Sequence, residues 1–241
     1  MKKDRGWRHK FLEAYCLLKL PPASRKLIWH VVRQRLTYLS IQRLAAISKV
    51  VKTVGKSSSQ GIFIEAGCAL GGSTAIIAKH KPAKSLLYVY DVFGQIPPPS
   101  DKDPQAVKAR YQVISKGEAK GIQGDPYYGY ERDLYNKVIQ NLGGLGIDLE
   151  KDQVQLIQGD LHDTLQPTQA VAFAHIDVDW YAPVYCCLKR IFPKLLPGGI
   201  LIIDDYNDWS GCRQATDDFL KTVTGQFTTL QQGGALQVWK K

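Results

Sequence analysis

Four aspartates near the end of the chain stand in two short motifs whose residue types can bind a divalent cation. The first motif, HIDVDWY, covers residues 175–181, and the second, IIDDY, covers residues 202–206. Each motif continues a run of apolar residues that predicts a buried β-strand. Because strand side chains alternate between the two faces of a sheet, Asp177 and Asp179 are expected to point to the same side.

The two motifs are expected to meet at one edge of a sheet. A helix-length segment, residues 180–196, joins them, and a right-handed crossover usually places consecutive parallel strands side by side. Asp204 and Asp205 then emerge beside the first pair, at the carboxyl edge where open α/β sheets bind ligands. Neighbouring carboxylates repel one another unless they take up protons or a cation neutralises them, and oxygen ligands favour Mg²⁺ or Ca²⁺ over Zn²⁺. The alternative is that Asp179 and Asp205 only cap a helix and a turn.

A glycine-rich turn, EAGCALGGST at residues 65–74, follows the first predicted strand and opens a helix. Its glycines, at positions 67, 71 and 72, do not have the G-x-G-x-x-G spacing of dinucleotide-binding proteins. Glu65 places a negative charge where a pyrophosphate would lie, which disfavours NAD and favours a ligand with a cationic group. Asp91, at the end of the second predicted strand, can accept hydrogen bonds from both hydroxyls of a ribose.

S-adenosylmethionine (SAM) combines a ribose, a sulfonium and an amino group, and therefore suits this pair of acids. Asp160, which closes the third predicted strand, is a candidate partner for the adenine amino group. The alternative is that Glu65 and Asp91 are strand-end residues that cap helices, and that Asp160 is a turn residue.

The predicted metal site and the predicted cofactor together indicate transfer of a methyl group to a hydroxyl. A hydroxyl bound to a divalent cation is more acidic, because the metal stabilises the oxyanion, and a nearby carboxylate can take its proton. The oxygen then attacks the methyl group in line with the departing thioether, so positioning and deprotonation are the main tasks. We assign metal binding to Asp177, Asp204 and Asp205, and the role of general base to Asp179.

The elements that must position these residues alternate between strands and helices, which predicts a mostly parallel sheet covered on both faces. A β-hairpin around Gly233-Gly234 predicts an antiparallel last strand. The predicted helices before the sheet cover residues 7–20 and 24–54, followed by a polar linker at 55–61. The predicted strands are residues 61–66, 85–91, 154–160, 171–179, 199–205, 227–232 and 235–239.

The domain division follows from composition. We predict a basic helical extension, residues 1–57, and a catalytic domain, residues 58–241, with a lid insertion at about 94–145 that contains helices near 104–116 and 131–141. The length of the insertion is typical of a functional lid.

The net charge of +10 belongs to the first quarter of the chain. Residues 1–56 contain 14 Lys and Arg against two acids, a balance of +12, so the remainder carries −2. A solvated helix face is the first interpretation, and weak attraction to an anionic membrane is the second. No motif indicates specific nucleic-acid binding. Apolar residues on one side of the second helix, within 27–47, suggest a homo-oligomer.

The cysteines and the apolar stretches indicate in which cellular compartment the protein is expected. The five cysteines are scattered and predict neither a disulfide framework nor a zinc site. No stretch approaches the length of about 20 apolar residues that spans a bilayer, and the N-terminus lacks the pattern of a secretory signal. We therefore expect a cytoplasmic protein.

Five ordered segments resemble the macrocin O-methyltransferase family, and the resemblance extends from about residue 37 to the end. It implies a Rossmann-like class I methyltransferase fold, SAM as the cofactor, Mg²⁺ or another divalent cation, and a sugar hydroxyl of a small molecule or glycoconjugate as the acceptor. The chain departs from the family pattern at Val178, where Gly is usual, and at His175, where Arg is common. The segments are EAGCALGGST, YVYDVFGQIP, IQGDLHDTL, IDVDWY and PGGILIIDDYNDWSGCRQA.

The resemblance also implies roles for individual residues. Asp177, Asp204 and Asp205 would hold the metal, and Asp179 would be the base. The remaining family contacts are with the cofactor: its methionine end at Glu65, Gly67, Gly71 and Ser73, its ribose at Asp91, and its adenine around Asp160.

Two other classes of protein stay open at this point. The first is a non-catalytic nucleoside-binding or interaction protein on the same fold, with the basic N-terminal helices as its working surface. The complete set of aspartates argues against it. The second, a nicotinamide oxidoreductase, is opposed by the glycine spacing and by Glu65.

Overall fold

The computed structural model describes residues 13–57 and 60–241, and its centre is a seven-stranded sheet in the order β3-β2-β1-β4-β5-β7-β6. The first five strands are parallel, and β7 is antiparallel to both β5 and β6. The predicted sheet and antiparallel C-terminal hairpin are therefore confirmed. The strands are β1 (Ile62–Ala66), β2 (Leu87–Asp91), β3 (Val154–Gln158), β4 (Val171–Ile176), β5 (Leu195–Ile203), β6 (Phe227–Gln232) and β7 (Ala235–Lys240).

Helices cover both faces of this sheet. Residues 13–18 are also helical, and a short 3₁₀ turn, Asp204–Asn207, follows β5. The helices are α1 (Pro22–Arg33), α2 (Ile41–Ser57), α3 (Gly72–His80), α4 (Gln105–Ser115), α5 (Leu134–Gly144), α6 (Leu161–Thr164), α7 (Tyr181–Ile191) and α8 (Ser210–Thr222). Among these described residues, no helix is long and apolar enough to cross a membrane.

The core consists of two apolar layers, because the side chains of the central strands alternate between the faces. Phe63 and Phe173 pack into one layer with α1, α2, α3 and α5. Ile64 and Ala174, their neighbours in the chain, pack into the other layer with α7 and α8. Burial on both faces explains why β1 and β4 are continuously apolar rather than alternating.

The single helix predicted for residues 24–54 is wrong, because the chain breaks between α1 and α2. Arg35 has a positive φ of 56°, and the carbonyl of Leu36 accepts a hydrogen bond of 3.0 Å from the amide of Gly72. The break therefore places a backbone acceptor on the first turn of α3, where free N–H groups need partners. Of the predicted helix at 7–20, residues 7–12 lie outside the described part of the chain. Part of the predicted linker, residues 55–57, belongs to α2.

The segment between β2 and β3 contains two helices, as predicted, and they differ in their packing. Val138 and Leu142 of α5 are fully buried in the core. The part before α5 is attached over the carboxyl edge of the sheet by polar contacts. The indole of Trp180 donates to the carbonyl of Pro97 at 3.1 Å, and the amide of Tyr181 donates to the carboxylate of Asp103 at 2.8 Å. The segment before α5 is thereby held against the start of α7, beside the predicted aspartate site.

Candidate active site

Three of the four predicted aspartates come together at the carboxyl edge of the sheet. Strands β4 and β5 are parallel neighbours, with Ile176 opposite Ile203, so the residues that follow them leave the sheet at the same level. Carboxylate oxygens of Asp177, Asp179 and Asp205 lie within 4.8 Å of one another. We call these three residues the aspartate cluster. Their convergence agrees with the expected juxtaposition of the two motifs.

Asp179 reaches the cluster by a turn and not by strand alternation. Strand β4 ends at Ile176, before either aspartate. Asp179 has a φ of 55°, and the amide of Trp180 donates to the carbonyl of Val178 at 2.6 Å across it. A non-glycine residue in this conformation costs on the order of 1–3 kcal/mol and is found where function or packing requires it. The tight turn bends the chain so that Asp179 faces Asp205.

Asp204 faces away from the cluster although it precedes Asp205. The two residues begin a 3₁₀ turn, in which successive side chains point about 120° apart. One carboxylate oxygen of Asp204 accepts a hydrogen bond of 2.6 Å from the guanidinium of Arg43, which also contacts Asp208. The other oxygen, Oδ1, is buried and makes no hydrogen bond within the part of the chain that the structure describes. Asp204 therefore connects the site to α2.

Behind Asp204, a row of buried charges leads into the core. Nε2 of His175 lies 3.7 Å from Oδ1 of Asp204, and its Nδ1 lies 3.1 Å from Oε1 of Glu65. Glu65 also accepts a hydrogen bond of 2.5 Å from the hydroxyl of Thr74. Burial alone lowers the pKa of His175, but the interactions with the carboxylates of Asp204 and Glu65 outweigh it and raise the pKa to about 9. A protonated His175 thus balances the two acids that flank it.

The aspartate cluster carries strong electrostatic repulsion. Burial raises the pKa of Asp177 and of Asp205 well above the ordinary range, and the charges of the neighbouring aspartates raise it further. Burial also raises the pKa of Asp179, to about 6, although hydrogen bonds with Asp205 and Trp209 oppose the shift. Oδ2 of Asp205 is buried, and none of the described residues forms a hydrogen bond with it. Unpartnered carboxylate oxygens at close range form a donor set that fits a hard divalent cation.

Asp91 holds the glycine turn next to the cluster. Its Oδ2 accepts hydrogen bonds from the amides of Cys68 and Ala69, at 2.8 and 3.3 Å, and its Oδ1 accepts one from Phe93 at 2.8 Å. A carboxylate offers about four acceptor positions, so one is left for a ligand. The sequence predicted that Asp91 accepts hydrogen bonds from both hydroxyls of a ribose. With these three backbone hydrogen bonds in place, one acceptor position of Asp91 is free for a ribose hydroxyl.

Gly67 lets the turn approach the aspartates. Its φ is 83°, and a Cβ placed there would lie 1.9 Å from the carbonyl oxygen of Asp177. Any other residue would therefore push the turn away from Asp177 or strain the backbone.

Two clefts meet at the aspartate cluster. The inner cleft, whose empty volume of about 730 Å³ includes open solvent, is lined by Asp91, Asp160, Ile96 and Pro97, among others. The outer cleft lies on the other side and is lined by aromatic and basic residues. Both clefts share Gly67, Tyr128, Asp177, Asp179 and Trp180, so the cluster forms part of the wall between them. The distinctive residues of the outer cleft are Tyr38, Arg43, Arg110, Tyr127, Asp205, Asp208 and Trp209.

The predicted cofactor-binding residues fall into two groups. Gly67, Asp91 and Asp160 line the inner cleft, and Asp160 also caps α6. The others do not line it: Glu65 belongs to the buried charge row, Gly71 precedes α3 with a φ of 87°, and Ser73 is buried in its first turn.

Sequence reasoning missed Arg43, which completes the site from a distance. Arg43 lies 161 positions before Asp204 and carries no local signal, while Tyr128 lies in the insertion and separates the two clefts.

The architecture is that of class I methyltransferases. The sheet is mostly parallel and has the same strand order, a glycine turn follows β1, and an acid stands at the end of β2. Solved structures of methyltransferases have a similar fold. "Structure of the O-methyltransferase NovP" matches with a TM-score of 0.69 and 22% identity over 86% of this chain and 82% of that one. "CalS11, Calicheamicin Methyltransferase" matches with a TM-score of 0.62 and 16% identity over 96% and 91%. At these identities the likeness shows the fold.

Sequence relatives define the family. A tetracenomycin-C rhamnosyl 4'-O-methyltransferase of Streptomyces olivaceus is 30% identical over 189 residues, which is 76% of this chain and 67% of the relative. Demethyldecarbamoylnovobiocin O-methyltransferase of Streptomyces niveus is 26% identical over 194 residues, with the same two coverages. The profile of the family described as Macrocin-O-methyltransferase (TylF) matches residues 134–237. The chain belongs to the macrocin O-methyltransferase family and is a SAM-dependent O-methyltransferase.

Proposed function

We propose that this enzyme methylates a sugar hydroxyl of a small-molecule glycoside and that a divalent cation, Mg²⁺ in the first instance, assists the reaction. The observation that carries the proposal is the aspartate cluster in the wall between two clefts. The names of the relatives support the acceptor class. Besides the rhamnosyl 4'-O-methyltransferase, they include a mycinamicin III 3''-O-methyltransferase of Micromonospora griseorubida.

The inner cleft is the proposed cofactor site. Asp91 offers its remaining acceptor position to the ribose, Asp160 stands at the adenine side, and Gly67 brings the turn close to the aspartates. Glu65, Gly71 and Ser73 affect cofactor binding indirectly, because they fix the conformation of the glycine turn. SAM supplies a methyl group that is bound to a sulfonium. When the methyl group is transferred, the sulfur leaves as a neutral thioether, which needs no proton.

Asp177 and Asp205 are the proposed cation ligands within the cluster. Asp204, which the sequence also predicted as a ligand, is directed to Arg43 and His175 and does not belong to the proposed ligand set. When bound, a divalent cation makes a nearby hydroxyl more acidic. The fit of a cation rests on the oxygen-only donor set and on Oδ2 of Asp205, which is buried and makes no hydrogen bond within the described residues.

Asp179 is the proposed general base. With a pKa raised to about 6 it is mostly ionised at pH 7, yet it is more basic than an ordinary carboxylate. It takes the proton of the acceptor hydroxyl while the oxygen attacks the methyl carbon. The electron pair of the breaking carbon–sulfur bond goes to sulfur.

The outer cleft is the proposed acceptor site. Tyr38, Tyr127 and Trp209 offer ring faces against which a sugar or an aromatic aglycone can pack. The guanidinium of Arg110 lies close enough to Asp179 to lower its pKa, so it contributes positive charge to an otherwise acidic cleft.

Label transfer from methyl-labelled SAM tests the proposal. The purified enzyme is incubated with rhamnosylated and unglycosylated forms of several aglycones, with Mg²⁺ or with excess chelator. We expect label on the sugar of some glycosides with Mg²⁺ and none with chelator, while SAM binding persists in both. Label on aglycone hydroxyls alone would contradict the acceptor class, and turnover unaffected by chelator would contradict the role of the cation.

A further inference from the structure

The outward side of the N-terminal helices exposes large apolar side chains. Six such side chains are exposed among the described residues, and four of them lie between positions 15 and 32. Leu18 is 69% exposed and Trp29 is 49% exposed, and the other two are Tyr15 and Val32. In α1, Ile28 and Val31 fill the core, and Trp29 and Val32 lie about 100° further round the helix, on its solvent-exposed side. We call the exposed side of residues 15–33, together with the outward lysines of α2, the N-terminal face.

The N-terminal face is also strongly basic. Residues 13–57 contain nine Lys and Arg and a single acid, Glu13. Arg35 pairs with Asp125, and Arg43 pairs with Asp204 and Asp208. The other seven form no ion pair with any residue in the described ranges 13–57 and 60–241: Lys19, Arg25, Lys26, Arg33, Lys49, Lys52 and Lys56.

Cations and aromatic rings are paired on this face. The guanidinium of Arg33 lies 4.8 Å from the ring centre of Trp29, and the ammonium of Lys19 lies 4.2 Å from that of Tyr15. Amphipathic rings beside long basic side chains are typical of protein surfaces that lie at the headgroup level of a bilayer.

Three lysines of α2 line a groove at the edge of this face. Lys49, Lys52 and Lys56 are spaced so that they share one side of the helix, and they line the groove together with Tyr15 and Lys19. Like charges at such spacings destabilise a helix unless an anion neutralises them. Burial lowers the pKa of Lys52, and the charge of Lys56 lowers it further.

A buried polar atom points to a ligand in the same groove. The hydroxyl of Ser48, whose side chain is fully buried, belongs to the groove wall and makes no hydrogen bond with any residue in the described ranges. An anionic group held by the lysines would give it one.

We propose that the N-terminal face docks on an anionic phospholipid bilayer, with Trp29 and Leu18 at the interface and the lysine groove receiving a lipid phosphate. Charge complementarity favours this occupant. A second copy of the chain would bring the same positive face against itself, which like-charge repulsion opposes. A free polyanion would leave the exposed apolar side chains without a partner.

Vesicle co-sedimentation tests this proposal on the full chain. Partitioning is measured in 0.1 M NaCl with vesicles of phosphatidylcholine and with vesicles that contain 30% phosphatidylglycerol. We expect binding to the anionic vesicles only, and its loss in 0.5 M NaCl. The double variant Lys49→Gln/Lys56→Gln should lower the partition coefficient roughly 30-fold. Trp29→Gln should weaken it and lower the quenching of tryptophan fluorescence by brominated lipids.

The matched control is Lys116→Gln/Lys137→Gln, which removes two exposed lysines from the segment between β2 and β3 and should bind as the wild type does. Thermal melts verify that each variant is folded. Equal binding to both kinds of vesicle, or equal loss in the two double variants, would overturn the proposal. So would a Trp29-dependent dimer without vesicle binding, or binding to heparin or RNA alone.

Discussion

At the scale of single residues, Asp204 and Asp205 show how adjacent side chains take different positions. The 3₁₀ turn after β5 directs Asp205 to the aspartate cluster and Asp204 to Arg43 and His175. Sequence motifs predicted that the aspartates would meet, because each motif continues a buried strand. They did not predict the direction of each side chain, since the strand period no longer applies beyond Ile176 and Ile203.

Asp179→Asn should lower kcat by about 10²- to 10⁴-fold, because an amide cannot accept the hydroxyl proton. The SAM dissociation constant should stay unchanged. Since the substitution removes one of several mutually repelling charges, the metal-free variant should be at least as stable as the wild type. Steady-state kinetics, calorimetry with SAM and thermal melts measure the three quantities.

Asp101→Asn is the control, because Asp101 is exposed and lies outside both clefts. Preserved turnover in Asp179→Asn would remove Asp179 from the role of base.

At the scale of elements, loops that contact distant parts of the chain were the hardest to predict. The continuous apolar runs of β1, β4 and β5 were recognisable because both sides of each strand are buried. The break between α1 and α2 was not, because apolar periodicity continues across it. Local backbone hydrogen bonds end α1: the amides of Arg35 and Leu36 donate to carbonyls in its last turn. The contact between Leu36 and Gly72, 36 positions along the chain, then holds the break against α3, and local propensity carries no information about such a contact.

The glycine turn gives a prediction about backbone geometry. Gly67→Ala should weaken SAM binding at least ten-fold and lower the free energy of unfolding by several kcal/mol, because the new Cβ would collide with the carbonyl of Asp177. Gly117 is the matched control: its φ of 76° is also positive, but no atom lies within 4 Å of its Cβ position.

Gly117→Ala should cost only about 1 kcal/mol, the penalty of the backbone conformation itself. Urea unfolding and SAM titration of both variants distinguish the effect of the steric clash at Gly67 from the effect of the positive φ that both glycines share. Equal losses of stability and of SAM affinity in the two variants would contradict the proposed close approach of Gly67 to Asp177.

The contact between α1 and α3 predicts a pH dependence of stability. Nε2 of His80 lies 2.9 Å from the hydroxyl of Ser24, which also accepts a hydrogen bond from Lys52. Burial lowers the pKa of His80 to about 4, and the charge of Lys52 adds to the effect. Below pH 6.5 the unfolded chain therefore binds a proton that the folded protein excludes.

The contribution of His80 to stability is complete above pH 6.5 and is lost as the pH falls towards 4, by up to roughly 3 kcal/mol. His80→Gln should flatten the pH dependence of the unfolding free energy in this window, as measured by urea titration. His30→Gln, which removes a partly exposed histidine of α1, should leave the slope intact. A slope unchanged in His80→Gln would contradict the assignment.

At the scale of the whole molecule, the sheet brings together residues that are far apart in sequence. The inner cleft combines the turn after β1, the acid after β2 and the start of α6, while the outer cleft adds α2 and the segment before α5. The order of the motifs predicted the first set, because carboxyl ends of parallel strands share an edge. The second set depends on how helices outside the sheet pack, as with Arg43, and only the structure showed it.

The most direct measurement is anomalous diffraction from crystals grown with Mn²⁺ and S-adenosylhomocysteine. We predict one strong anomalous peak within coordination distance of carboxylate oxygens of Asp177 and Asp205, on the side of the outer cleft, with the nucleoside in the inner cleft. We also predict that Asp205→Asn abolishes the peak. A nucleoside bound in the inner cleft with no peak beside these aspartates would contradict the proposed cation site.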